Sequence, residues 1–398
     1  MIFADINTFY AERAGGIRTY HQAKLEWFAR QRAHRYVLVC PGPRHRVREV
    51  APNVSIVEVY GPRLGGGAEG GYRLMLDYPR VFSLLRELGA DVVEAGDPWL
   101  TGVFCLGVLR PLAGPEPIVS AFYHSDPVRT WLEPWGAAPG RIRAVRRAAS
   151  TAVSRLFYAL QRRYAVTMVS SPCMETHLRG RGVDRIACVP FGTERRFAEA
   201  ARLRRPSADG TRRLLYAGRL GQEKGADLLL EILPRLLERP DVRVTVMGRG
   251  EYESRFAAIE HPRYRFRGFV ADRDEVAREF AAHDVLLAPG PHETFGLAVL
   301  EALAAGMAVV GPDAGGTAER LRLLADPFLF QAGDADGFLR ATVRAAAADP
   351  DAAVRDAVRA AESCLSWDAA VRRMVDVYES LAAARSARPV ADAVPAHA

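Results

Sequence analysis

The 398-residue chain is poor in cysteine, and what cysteine it has is not arranged to staple or ligate anything. Cys40, Cys105, Cys173, Cys188 and Cys364 are scattered, odd in number and never spaced C-x-x-C. That argues against a disulfide framework and against a zinc site, and it fits a reducing cytosol. Long apolar runs are missing too. The longest, near residues 99–109, is about half of what a membrane-spanning helix needs. No basic segment followed by an apolar run opens the chain, so no secretory signal is expected. No G-x-G-x-x-G follows the first strand candidate, which sets a dinucleotide-dependent dehydrogenase aside. No D-x-D is placed to hold a divalent metal, and the aromatics do not interleave with basic runs as in a nucleic-acid binder. We therefore expect no metal, no cofactor and no nucleic-acid partner.

What is present points to a globular protein of two domains. Hydrophobic residues make up 49% and charged residues 25%, and the length exceeds what one core organises. The net charge of +7 favours anionic partners such as nucleotide phosphates or an acidic lipid surface.

The most informative stretch is 289–319, PGPHETFGLAVLEALAAGMAVVGPDAGGTAE. A short apolar strand, 284–288, leads into it. Glycine, proline and the polar trio His292-Glu293-Thr294 follow, then a helix from Gly296 and a second apolar strand at 308–310. Strand, loop, helix, strand is the unit of a parallel sheet. A loop at a helix N-terminus offers free N–H groups and the positive end of the dipole, so it can hold a phosphate. Glu293 and Glu301 bracket this loop, the second about two turns into the helix. An anion site flanked by carboxylates suits a nucleotide sugar, whose hydroxyls the carboxylates can accept. Taken alone, such a pair reads first as a helix cap at Glu293 and a solvated or paired side chain at Glu301.

This stretch resembles the signature of retaining glycosyltransferases of family four, which have the GT-B fold. Glu293, Phe295, Gly296, Leu297, Glu301, Ala302, Gly306, Val309, Val310, Gly315, Gly316 and Glu319 agree in register. A second match lies upstream. After a strand at 213–217, Gly218-Arg219-Leu220-Gly221-Gln222-Glu223-Lys224-Gly225 precedes a helix at 226–237. Two cations in a glycine-punctuated loop before a helix form a diphosphate cradle, and Arg219 and Lys224 stand in the family's phosphate-binding places.

The first half of the chain matches more loosely. Gly15-Gly16, after a strand at 1–6 and before a helix at 17–32, correspond to the family's glycine loop facing the donor diphosphate. A strand at 118–122 ends in Tyr123-His124-Ser125-Asp126. The family often has a histidine there near the donor sugar, which puts His124 first and Asp126 second. Gly248 ends a further strand, and the 268–270 segment, including Val270, matches the place where the family holds the base by backbone contacts. The turn Phe191-Gly192-Thr193 departs from the family's asparagine-glycine turn. The stretch 140–164 is basic and partly amphipathic, suited to an anionic membrane or simply to solvent.

The resemblance implies an α/β chain of GT-B architecture, with two doubly wound Rossmann-like domains facing a cleft. We place an acceptor domain at 1–193, a charged linker at 194–211 and a nucleotide-sugar domain at 211–365. A helix at 366–384 should cross back to the first domain, and the Ala/Pro-rich tail 385–398 reads as disordered. Arg219, Lys224, Glu293 and His124 become the catalytic candidates. Gly15, Gly16, Gly248, Val270, Phe295, Gly296, Leu297 and Glu301 become the donor-binding ones. The run P-G-P-H-E-T-F-G-L-A looks like members that move mannose from GDP-mannose to lipid or saccharide acceptors, with a UDP-sugar glucosyltransferase as the alternative. A nucleotide-sugar epimerase or a non-catalytic nucleotide-sugar-binding protein is the reading of another class. A cytoplasmic protein, peripheral at the membrane's inner face, fits these expectations.

Overall fold

The computed structural model describes the chain apart from residues 11–14, 64–71, 98–99, 110–115, 139, 205–208, 363–365 and 388–398. Most of the glycine-rich segment 61–71, read as an acceptor loop or linker, lies outside the described residues, as does most of the tail.

Two sheets organise the protein. The first has eight strands in the order β3-β4-β2-β1-β5-β6-β7-β8. They are β1 Ile2–Ile6, β2 Arg35–Gly42, β3 Arg46–Ala51, β4 Val54–Tyr60, β5 Val92–Ala95, β6 Ile118–Phe122, β7 Val166–Val169 and β8 Ile186–Cys188. The central strands β2, β5, β6 and β7 are almost wholly buried, because helices cover both faces of a parallel sheet. All neighbours pair parallel except β3, which runs antiparallel to β4 at the edge. Sequence reasoning had no strand there. RVREVA is charged and exposed along its length, so it lacks the apolar signal that marked its neighbours.

The second sheet has six strands, all parallel, in the order β11-β10-β9-β12-β13-β14. These are β9 Arg212–Ala217, β10 Val242–Met247, β11 Tyr264–Gly268, β12 Val285–Leu287, β13 Ala308–Pro312 and β14 Phe328–Phe330. The apolar positions of β9, β10 and β12 face Leu229, Ile232, Leu233 and Leu236 of the helix Ala226–Leu237.

Two segments join the halves. The helix Trp367–Ser386 packs against the first sheet and the helix Gly16–Arg30, with Ala370, Val371, Met374 and Tyr378 buried. It crosses back as the resemblance implied. The stretch read as a bare linker does more than connect. It forms the helix Arg195–Ala201, whose Phe197 is fully buried against Phe280 of the second domain. Its single apolar anchor among charges gave too weak a periodicity to be seen in sequence.

Candidate active site

In open parallel sheets, ligands bind beyond the carboxyl ends of the strands, where the strand order reverses. Here the reversals fall between β1 and β5 in the first sheet and between β9 and β12 in the second. The loops leaving those strands meet at one cleft of about 1740 Å³ between the domains. All twelve catalytic and donor-binding candidates line it: Gly15, Gly16, His124, Arg219, Lys224, Gly248, Val270, Glu293, Phe295, Gly296, Leu297 and Glu301; Asp126, the second choice beside His124, does not.

Backbone geometry explains several of the glycines. Gly296 sits at φ +77° and begins the helix Leu297–Ala304, which no side chain caps. Its first N–H groups are thus left to the cleft. Gly15 likewise begins the helix Gly16–Arg30 with no side-chain cap. A Cβ on Gly16 would lie 3.0 Å from Cδ1 of Leu297, so the two domains approach each other closely here. Gly248, at φ +145°, lets β10 pass the Gly218 carbonyl, which a Cβ would meet at 1.8 Å.

The charges converge. Lys224 Nζ donates to Glu293 Oε1 at 2.5 Å, joining the loops that follow β9 and β12. Arg219, half-exposed, lies 3.3 Å from Glu223. Buried Tyr216 holds this loop from below, its hydroxyl donating to the Arg219 carbonyl at 2.7 Å. Glu301 is buried and is gripped by Arg273, whose guanidinium bridges it to Glu194. Burial raises the Glu301 pKa and Arg273 works against that rise. Sequence reasoning gave Glu301 the ribose hydroxyls to hold, or else a solvent-facing or ion-paired place. The structure adds a resident cation, supplied by the helix Arg273–Ala281.

The opposite wall belongs to the first domain. His124 stacks on Phe122 with ring centroids 4.8 Å apart and stands edge-on to Tyr20. Its carbonyl accepts from Thr294 Oγ1 at 2.9 Å, and its buried Nε2 has no protein partner. Burial pushes its pKa down to about 3, so the imidazole is neutral at ordinary pH. It can donate or accept one hydrogen bond, but it carries no charge. Asp126 does not join it. That carboxylate is buried behind the wall, 3.3 Å from His177, and is not part of the cleft lining.

Sequence reasoning missed Tyr216, Arg273, Thr294 and Glu194. The signal for Thr294 was present, since it lies within the matched polar trio. The partners of Arg273 lie 79 and 28 positions away and cannot be paired without the fold. Two further contacts tie the domains: Ser171 Oγ donates to the Thr294 carbonyl at 2.7 Å, and Glu319 accepts from the Cys173 N–H at 3.1 Å.

Two doubly wound domains facing a shared cleft, with a C-terminal helix returned to the first, are the GT-B architecture. Solved structures of that architecture overlay the chain. A sucrose-phosphate synthase from Thermosynechococcus elongatus aligns at a TM-score of 0.73 and 20% identity, covering 96% of this chain and 100% of its own. WaaG, a glycosyltransferase of lipopolysaccharide biosynthesis, aligns at 0.67 and 16% identity, covering 95% and 99%. Residues 14–196 match the model of Glycosyltransferase Family 4, and residues 211–348 match that of Glycosyl transferases group 1. A GDP-mannose-dependent alpha-(1-6)-phosphatidylinositol dimannoside mannosyltransferase of Mycobacterium tuberculosis is 30% identical over 322 residues, covering 78% of this chain and 79% of its own. A GDP-mannose-dependent alpha-mannosyltransferase of Mycolicibacterium smegmatis is 29% identical over 319 residues, with 78% and 79% covered. The chain belongs to glycosyltransferase family 4, and it is an enzyme that transfers a sugar from a nucleotide-sugar donor.

Proposed function

We propose that the protein moves mannose from GDP-mannose to a hydroxyl of a lipid-borne or saccharide acceptor, with retention at the anomeric carbon. The observation that carries this is the meeting of the Arg219–Lys224 loop with the Glu293–Gly296 loop at an open helix N-terminus, across from Gly16 and His124. The mannosyltransferase relatives support the choice of donor. In this reading Arg219, Lys224 and the N–H groups at Gly296-Leu297 take the diphosphate. They offset the charge that grows on it as the anomeric C–O bond breaks, and such stabilisation is often the largest catalytic contribution. Glu293 accepts hydroxyls of the sugar and Glu301 those of the ribose. Neutral His124 hydrogen-bonds the sugar from the other wall. The acceptor oxygen bonds to the anomeric carbon, and its proton goes to the departing phosphate oxygen. With two cations at the diphosphate, we expect full activity in the presence of a chelator. Activity that vanished with chelator and returned with manganese would refute that part.

The deciding experiment is thermal unfolding with GDP, UDP or ADP, followed by turnover with the matching donor. At about one hundred times its dissociation constant a nucleotide adds ~2.7 kcal/mol, enough to raise a midpoint by several degrees. We expect the shift with GDP. A shift with UDP alone would move the donor to a UDP-sugar. Release of an epimerised sugar without an acceptor would replace transfer by epimerisation.

A further inference from the structure

The helix Arg143–Gln161 has two apolar faces, and only one of them is used. Ser150, Phe157, Tyr158 and Gln161 turn inward and are buried. On a neighbouring side of the helix Ile142, Val145, Val153 and Leu156 recur at helical spacing and face water, with Val145 68% and Leu156 60% exposed. Two tryptophans stand on the short helices just before it, Trp131 at 49% and Trp135 at 47% exposure. Isolated exposed apolar groups need no explanation, but a stripe extended by two half-exposed tryptophans does.

The charges around it choose the occupant. Residues 127–165 contain eight arginines and one acid, Glu133. Arg143, Arg147 and Arg155 are exposed on the same helix as the stripe. An apolar stripe beside a field of arginines, with indole rings at its margin, matches the acyl–headgroup boundary of an anionic bilayer. A protein partner would need acids to answer the arginines, and a second copy of this surface would set arginine against arginine. The patch also adjoins the cleft, since Thr130 and Trp131 line both. A headgroup standing above the bilayer would enter the cleft from the first-domain side.

We propose that the helix Arg143–Gln161, with Trp131 and Trp135, is the surface by which this protein rests on anionic membrane. This rests on the reading of the acceptor as lipid-borne, and it names the face and the partner that reading lacks. No helix among the described residues is long and apolar enough to cross a membrane, so the contact is superficial.

The test is sedimentation of the full chain with vesicles of phosphatidylcholine alone or mixed with phosphatidylglycerol. Wild type should sediment with the mixed vesicles only, and less so as salt rises. The double variant Val145→Glu, Leu156→Glu should bind on the order of tenfold more weakly or worse, and Arg143→Glu, Arg147→Glu likewise. All four side chains are exposed, so the variants should keep the wild-type unfolding midpoint and its shift with GDP. Wild type left in the supernatant with both vesicles would overturn the proposal. So would equal binding by wild type and variants, or a concentration-dependent dimer that the variants abolish. Vesicle binding without any nucleotide shift would leave the docking face standing and remove the donor reading instead.

Discussion

Both domains are built on a largely parallel, doubly wound sheet, but they place their polar residues differently. In the second, charge is gathered at the strand ends. Arg219, Lys224, Glu293 and Glu301 lie at the cleft, and the side chains that β9, β10 and β12 turn onto the helix Ala226–Leu237 are apolar. In the first, charge is also buried within the body of the domain. Lys24 Nζ sits 2.6 Å from Asp5 and 3.3 Å from Glu94, and Tyr20, Tyr36 and Tyr378 hydrogen-bond the two acids. The Asp5 pKa falls to about 2; burial alone would raise it, and Lys24 and His21 more than offset that. Apolar groups show the reverse. Of the fifteen exposed large apolar side chains among the described residues, only Leu203, Phe269 and Leu323 lie beyond residue 193. On the proposed reading, one domain is built around a fixed chemical task, the diphosphate. The other carries an internal polar lock and an outer surface suited to contacts.

If that contrast is sound, a lysine should mean different things in the two halves. Lys24→Met removes the cation between two buried acids. Breaking a buried pair in this way costs about 3–5 kcal/mol, measured as a lower midpoint in denaturant, while the molecules that remain folded keep their turnover. Lys224→Ala should do the opposite, leaving stability nearly unchanged and cutting kcat roughly a hundredfold or more. Steady-state kinetics on the folded variant checks this, and an unchanged kcat would sever the loop from catalysis. An intermediate effect comes from the Glu194–Arg273–Glu301 cluster. Glu301→Ala removes a charged acceptor and should weaken nucleotide binding by about 1–3 kcal/mol, read by calorimetry. Arg273→Met leaves that carboxylate buried without its cation. Its nucleotide affinity should fall further as the pH drops, because the carboxyl then protonates more readily.

The same contrast decided what could be read from sequence. The second domain was legible because its candidate site is made of local features: a glycine where φ is positive, a cation a few residues before a helix, a carboxylate two turns inside one. The helix at 226–237 and both loops were placed from such signals. The helix that crosses back was placed by the resemblance together with Ser366, whose side chain does cap it. The buried lock was not legible, because it joins Asp5, Lys24, Glu94 and Tyr378 from four separate elements, and each alone looks like an ordinary surface residue. Asp126 shows the converse error. It stands at a strand end, where ligands bind, yet the fold turns it toward His177. Position along a strand says which end a residue occupies and leaves open which way its side chain turns.

The smallest effect expected is also the one that tests the first domain's wall most directly. With its pKa near 3, His124 is neutral in the folded protein and is protonated below about 6.5 once unfolded. The unfolded state then binds the extra proton, so stability is lost as the pH falls from about 6.5 toward 3. His34, His177, His283 and His292 are shifted in the same direction, so the wild-type loss is shared among them. Asp5 adds its own loss only below about pH 4. Between pH 4.5 and 6 the variant His124→Asn should therefore show a shallower dependence of unfolding free energy on pH. The difference should be at most about 1.4 kcal/mol per pH unit, the share of one proton. Parallel curves for the two proteins would mean that the ring is not held neutral. His124 would then take up its proton in the folded protein near the ordinary histidine value, and the buried, uncharged ring packed on Phe122 and Tyr20 would no longer be a fixed feature of the first domain's wall.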